Sequence, residues 1–141
     1  MKSLATLIKL QKTRVDEQRV ILARAQEKLD LIERAIAGLE DEKIREQEAA
    51  GKDPEHAVTY GAFLKEAIRR GRALDRERQI AVAAVAAARD ALIELFEEQK
   101  RYEIAEAARI VAEEKEELRR ETAELDEIGG ITHERQKTTK N

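Results

Sequence analysis

The chain has 141 residues, of which 40% are charged, 3% aromatic and none cysteine, and its net charge is -3. Too few large side chains are present to fill a round core, disulfides and thiolate metal sites are excluded, and no positive excess exists to gather nucleic acid or an anionic membrane. The mixture that remains is rich in Ala, Glu, Arg, Lys and Leu, with one Pro, which is the composition of long helices or coiled coil.

The N-terminal MKSLATLIKLQK starts basic, but Lys9 interrupts its apolar run and no small-residue cleavage site follows, so a signal peptide is not expected. A heptad then begins. Ile8, Val15, Leu22, Leu29 and Ile36 occupy position a, and Leu4, Gln11, Gln18, Ala25, Ile32 and Leu39 occupy position d. Only Gln11 and Gln18 break the apolar rule over five heptads, which predicts a coiled-coil helix. Ser3 is its expected N-cap, and Gly51 offers a stop after a seam that weakens at Lys43 and Glu46.

Asp53-Pro54-Glu55 reads as a helix start, with an N-cap, a proline at the first helical position and an acid in the first turn. Thr59 is a second candidate start if Gly61 breaks the early turn. The second seam reads Leu64, Ala67, Gly71, Leu74, Arg78, Ala81, Val85, Ala88, Leu92, Leu95, Gln99 and Tyr102. Gly71 and Arg78 are poor core residues, and the alanine-rich run 81–91 predicts close backbone approach. The longest apolar run, IAVAAVAAA at 80–88, has nine residues, half of what a bilayer span of roughly 18 or more needs. No direct membrane insertion is expected.

The expected fold is therefore all-α: one antiparallel coiled-coil hairpin over 1–141, with the second helix longer than the first. Helix one covers about 3–50, the loop about 51–58, helix two 54 or 59 to 128, and 129–141 forms a flexible polar tail. A fold symmetric about residue 54 sets Ile36 near Gly71, Leu22 near Val85 and Val15 near Leu92. Helix one, at about 47 residues, is roughly 70 Å long, against about 75 residues and roughly 110 Å for helix two.

The lengths do not match, so 104–128 has no intramolecular mate. Ile104, Ala108, Val111, Leu118, Leu125 and Ile128 still repeat there at three- and four-residue steps, in a new phase. Each large apolar side chain left in water forgoes roughly 1.5–3 kcal/mol, which marks this end as a docking surface. A frayed amphipathic helix, or self-association of two overhangs, is the plainer alternative.

Catalytic chemistry has little support. His56 and His133 are isolated, there is no phosphate loop or nucleophile motif, and the many carboxylate pairs lie on solvated faces. No catalytic residue, cofactor or metal is expected. Two charge clusters stand out: Arg69, Arg70, Arg72, Arg76 and Arg78, and the segment 113–127 with eight acids against three bases. Both read most simply as solvated faces. Tyr60 and Phe63, two of only four aromatics, fall in VTYGAF at the loop end. They can plug the tip against Ile44 or Ile68, be incidental, or serve as binding anchors.

A start at LATLIKL, a heptad helix, a short break and a longer second helix together resemble the flagellar export protein FliJ and its relatives in type III secretion. Tyr60-x-x-Phe63-Leu64 is similar to that family's motif at the start of helix two, and Leu125-Asp126-Glu127-Ile128 is similar to its hydrophobic-Asp-Glu-hydrophobic step, with Gln99-Lys100-Arg101 upstream. The chain departs from the family's pattern in its few aromatics. The resemblance implies a non-enzymatic stalk, similar to the two-helix central stalk of rotary ATPases, that promotes assembly of a hexameric export ATPase and stimulates its hydrolysis. It also implies contact with the cytoplasmic domain of the export gate and a part in recycling export chaperones. Carried over residue by residue, the gate contact falls on Tyr60, Phe63 and Leu64. The ATPase contact falls on Leu4, Leu7, Leu125, Asp126 and Glu127, joined by Val111 and Leu118 of the unaccompanied stripe. The expected location is cytoplasmic, peripheral to the inner membrane. A homo-oligomeric coiled-coil spacer and a secretion chaperone are the alternative readings.

Overall fold

The computed structural model describes residues 3–139 and is all-α. Helix α1 runs Leu4–Lys52 and helix α2 runs Pro54–Thr139, and the two pack against each other. Ser3 caps α1: its Oγ accepts from the Thr6 amide at 3.2 Å and its carbonyl from the Leu7 amide at 3.0 Å. These bonds satisfy donors that the first turn would otherwise leave open.

Asp53 is the whole connection. Its amide donates to the Ala49 carbonyl at 3.0 Å, its carbonyl accepts from the Ala57 amide at 3.1 Å, and its Oδ1 accepts from the Glu55 amide at 3.0 Å. One residue thus ends α1 and caps α2. Pro54 enforces the break, because its ring disfavours helical geometry in the residue before it and it has no amide to donate. The loop expected at 51–58 is helical apart from this residue, and Thr59 starts nothing. Gly51 adopts no left-handed conformation, so it does not stop α1.

Two compact units make up the chain, one formed by residues 12–96 and the other by the segment to Gln11 with that from Glu97. In the unit 12–96, Val15, Ile32 and Leu39 of α1 are buried against Ala67, Ala81, Val85 and Ala88 of α2. None of the α1 heptad positions of this unit is exposed. Gly71 lies under Leu39 rather than Ile36, three residues from the symmetric expectation. The missing side chain leaves room beside Leu39 Cδ2, which a Cβ would meet at 3.6 Å. Gln18, polar at a seam position, donates to the Ala88 carbonyl at 3.1 Å. Arg78 points outward and meets Glu33 at 3.6 Å, while Arg70 meets Glu42 at 3.6 Å and His56 meets Glu46 at 3.3 Å. Arg19 stands 5.3 Å over the Phe96 ring, a cation–π contact.

In the second unit, Leu4, Leu7, Ile8 and Leu10 are half-buried and Gln11 is 1% exposed. Gln11 Nε2 donates to Glu98 Oε2 at 3.0 Å, and the Tyr102 hydroxyl donates to Glu98 Oε1 at 2.9 Å. The helical stop expected at Gly129-Gly130 does not occur. Neither glycine has positive φ, and α2 continues to Thr139. The tail expected over 129–141 is therefore helical as far as it is described, and Lys140 and Asn141 lie outside the described residues.

Candidate functional site

Two regions hold the residues singled out from the sequence, one in each unit. In the unit 12–96, Tyr60, Phe63 and Leu64 occupy the second turn of α2 and the turn after it, and all three are half-buried. The Tyr60 and Phe63 rings stack with centroids 6.3 Å apart and planes 27° apart, within the range of favourable aromatic pairs. Ile44 and Ile68, the partners expected for a plug, remain 54% and 44% exposed, so neither is sealed over. A shallow groove is lined by Gly61, Ala62, Leu64, Lys65 and Ile68. Val58, one turn earlier than Ala62, is almost fully in solvent.

In the second unit the candidate residues do not form one cluster. Leu4 and Leu7 sit half-buried at the start of α1. Val111, Leu118 and Leu125 lie along α2 in solvent, at 48%, 63% and 69% exposure, and Asp126 and Glu127 are exposed beside them. From Ala107 to Thr139 only Glu116 is less than exposed. Ile104, Val111, Leu118 and Leu125 fall seven residues apart, so they draw one line along the helix, and Ile128 and Ile131, both exposed, follow at three-residue steps that turn away from it. Ile128 was expected in the stripe, whereas Ile131 was not, because Gly129-Gly130 reads as an end in sequence.

This uncovered stretch is braced by its own charges. Arg109 donates to both oxygens of Glu106, at 3.1 and 2.8 Å, and to Glu113 at 2.7 Å. Arg119 donates to both oxygens of Glu116, at 3.0 and 2.7 Å. The hydrogen bonds from Arg109 hold the Glu106 carboxyl below its usual range, and those from Arg119 do the same for Glu116. Such i,i+3 and i,i+4 pairs support an isolated helix. They leave the apolar line free.

Among the described residues no group of His, Cys, Asp or Glu is placed to hold a metal ion, and no helix is long and apolar enough to cross a membrane. The geometry is that of surfaces, not of a pocket where reacting groups converge. The residue that sequence reading missed is Glu98: Tyr102 lies four residues along the same helix, but Gln11 reaches it only through a pairing register that periodicity alone does not fix.

Comparison with known proteins gives a match to the family model described as flagellar FliJ protein over residues 1–138. No curated protein and no solved structure matches the chain.

Proposed function

The chain belongs to the FliJ family, and from that premise we propose that it is the export component that engages and stimulates a hexameric export ATPase and links it to the export gate. The observation that carries this reading is the uncovered line Ile104, Val111, Leu118 and Leu125 on a helix braced by its own ion pairs. A stiff helix with an apolar stripe is competent to dock without first paying the ordering entropy of a disordered segment. The acidic balance of 113–127 sets the chemistry of its counterpart: an apolar surface rimmed by cations. Leu4, Leu7, Asp126 and Glu127 belong to the same engagement.

Tyr60, Phe63 and Leu64 are the gate contact in this reading. Stacked, half-buried rings are preorganised anchors, because little rotamer freedom is left to lose on binding. The protein acts from the cytoplasmic side, peripheral to the inner membrane, and performs no chemistry itself.

The direct test is hydrolysis by the cognate export ATPase with and without the intact chain. Stimulation by the intact chain that disappears with Val111→Ser, Leu118→Ser and Leu125→Ser combined is the expected result. No stimulation by the intact chain overturns the proposal.

A further inference from the structure

The run IAVAAVAAA at 80–88 is apolar on every side, yet α1 covers only one stripe of it. Ala81, Val85 and Ala88 are buried, whereas Ile80, Val82, Ala83, Ala84, Ala86 and Ala87 are exposed, Ile80 at 69%. A helix that is hydrophobic all round is normally enclosed. The covering α1 supplies half of such an enclosure, and the outer half is open.

The charges bordering this open face are arranged about Ala83. Arg76 and Arg72 precede it by seven and eleven residues, and Asp90 and Glu94 follow it by seven and eleven. Those spacings return to nearly the same side of an α-helix, and all five residues are exposed. None of the four charged side chains holds an ion pair or hydrogen bond with another described residue. Along this line the four charges are thus basic before the alanines and acidic after them, at matched distances.

We propose that this face binds a second copy of the chain, with the two α2 helices antiparallel and crossing at Ala83. In that arrangement Arg76 meets the partner's Asp90 and Arg72 the partner's Glu94, and the two-fold axis repeats both pairs. A parallel arrangement sets Arg72 against Arg72 and Glu94 against Glu94 and is disfavoured. The small residues at the crossing let the helices approach closely, which brings Ile80 of each copy onto the alanines of the other. Ala83, Arg76 and Asp90 lie opposite the buried Ala81, Val85 and Ala88, so the crossing leaves the hairpin pairing intact, while Arg72 and Ile80 flank the seam and are exposed. It is independent of the ATPase and gate readings.

The test uses the full chain. It has no cysteine, so Ala83→Cys supplies a single thiol at the axis. The expected result is rapid oxidation to a disulfide-linked dimer, with Glu27→Cys, exposed on α1, cross-linking far more slowly. By analytical ultracentrifugation the unmodified chain should sediment at twice its 16.0 kDa mass in low salt. R72E with R76E should weaken the dimer about tenfold or more, and adding D90R with E94R should restore it. Circular dichroism confirms that each variant is folded. A monomer at every accessible concentration overturns the proposal, as does equal cross-linking at positions 83 and 27. Restoration failing in the fourfold variant overturns the antiparallel register.

Discussion

A Cβ placed on Gly71 would stand 3.6 Å from Leu39 Cδ2, an ordinary van der Waals distance. One methyl group therefore fits there in ordinary contact with Leu39. Gly71 has no positive φ, so nothing in its backbone requires glycine. Gly71→Ala should raise stability by about 0.5–1 kcal/mol through helix propensity, read as a higher midpoint in thermal unfolding by circular dichroism. Gly71→Leu should lower it, because the added carbons collide with Leu39.

Leu39 and Leu118 make a controlled pair. Leu39 is 3% exposed and Leu118 is 63% exposed. Leu39→Ala should cost about 2–5 kcal/mol in urea unfolding, whereas Leu118→Ala should stay within about 0.5 kcal/mol. If Leu118 serves docking, the second variant loses ATPase stimulation without losing the fold.

The Gln11–Glu98–Tyr102 chain places a buried amide on a carboxylate. Gln11→Ala should cost about 1–3 kcal/mol and Tyr102→Phe about 0.5–1.5 kcal/mol. Because both side chains act on one carboxylate, their effects should not add, and a double-mutant cycle measures the coupling.

Glu106 and Glu116 titrate below the ordinary carboxylate value of 4.5 because Arg109 and Arg119 hydrogen-bond their ionised forms. A carboxyl lowered on folding favours the helix above that ordinary value, and the contribution is lost as pH falls through the lowered one. Cα chemical shifts over 105–120 should hold steady from neutral pH to about pH 5 and move toward coil in more acid solution. Glu106→Gln with Glu116→Gln should flatten this step.

For the tip, Tyr60→Ala with Phe63→Ala should weaken binding to the gate's cytoplasmic domain, with helicity unchanged. Isothermal titration gives the affinity and circular dichroism the helicity. A large fall in thermal midpoint would instead assign the rings to tip-plugging.

Much of the fold was legible because a 3.5-residue period is a strong signal. All eleven predicted α1 seam positions escape full exposure, and of the twelve on α2 only Arg78 is exposed. The register was less legible, since a repeating pattern matches itself after every turn. The structure sets Gly71 next to Leu39 rather than Ile36, three residues from the symmetric expectation. Helix ends were misread for a different reason. Glycine ends a helix when it turns left-handed, and Gly51, Gly129 and Gly130 do not. The uncovered stripe was visible from unequal lengths alone, whereas the stacking of Tyr60 on Phe63 was not, because three-residue spacing permits contact without requiring it.

The single-residue junction at Asp53 also bears on how the protein is made. Contacts beside it join residues as near in sequence as Glu46 and His56, while Gln18 and Ala88, in the same unit, are 70 residues apart. Closure entropy rises with separation, so association should nucleate beside the proline and zip outward. A nascent chain can therefore assemble the paired core of residues 12–96 before the exposed stretch from Ala107 has left the ribosome, and that stretch, contributing little to packing, is free to evolve with whatever it touches.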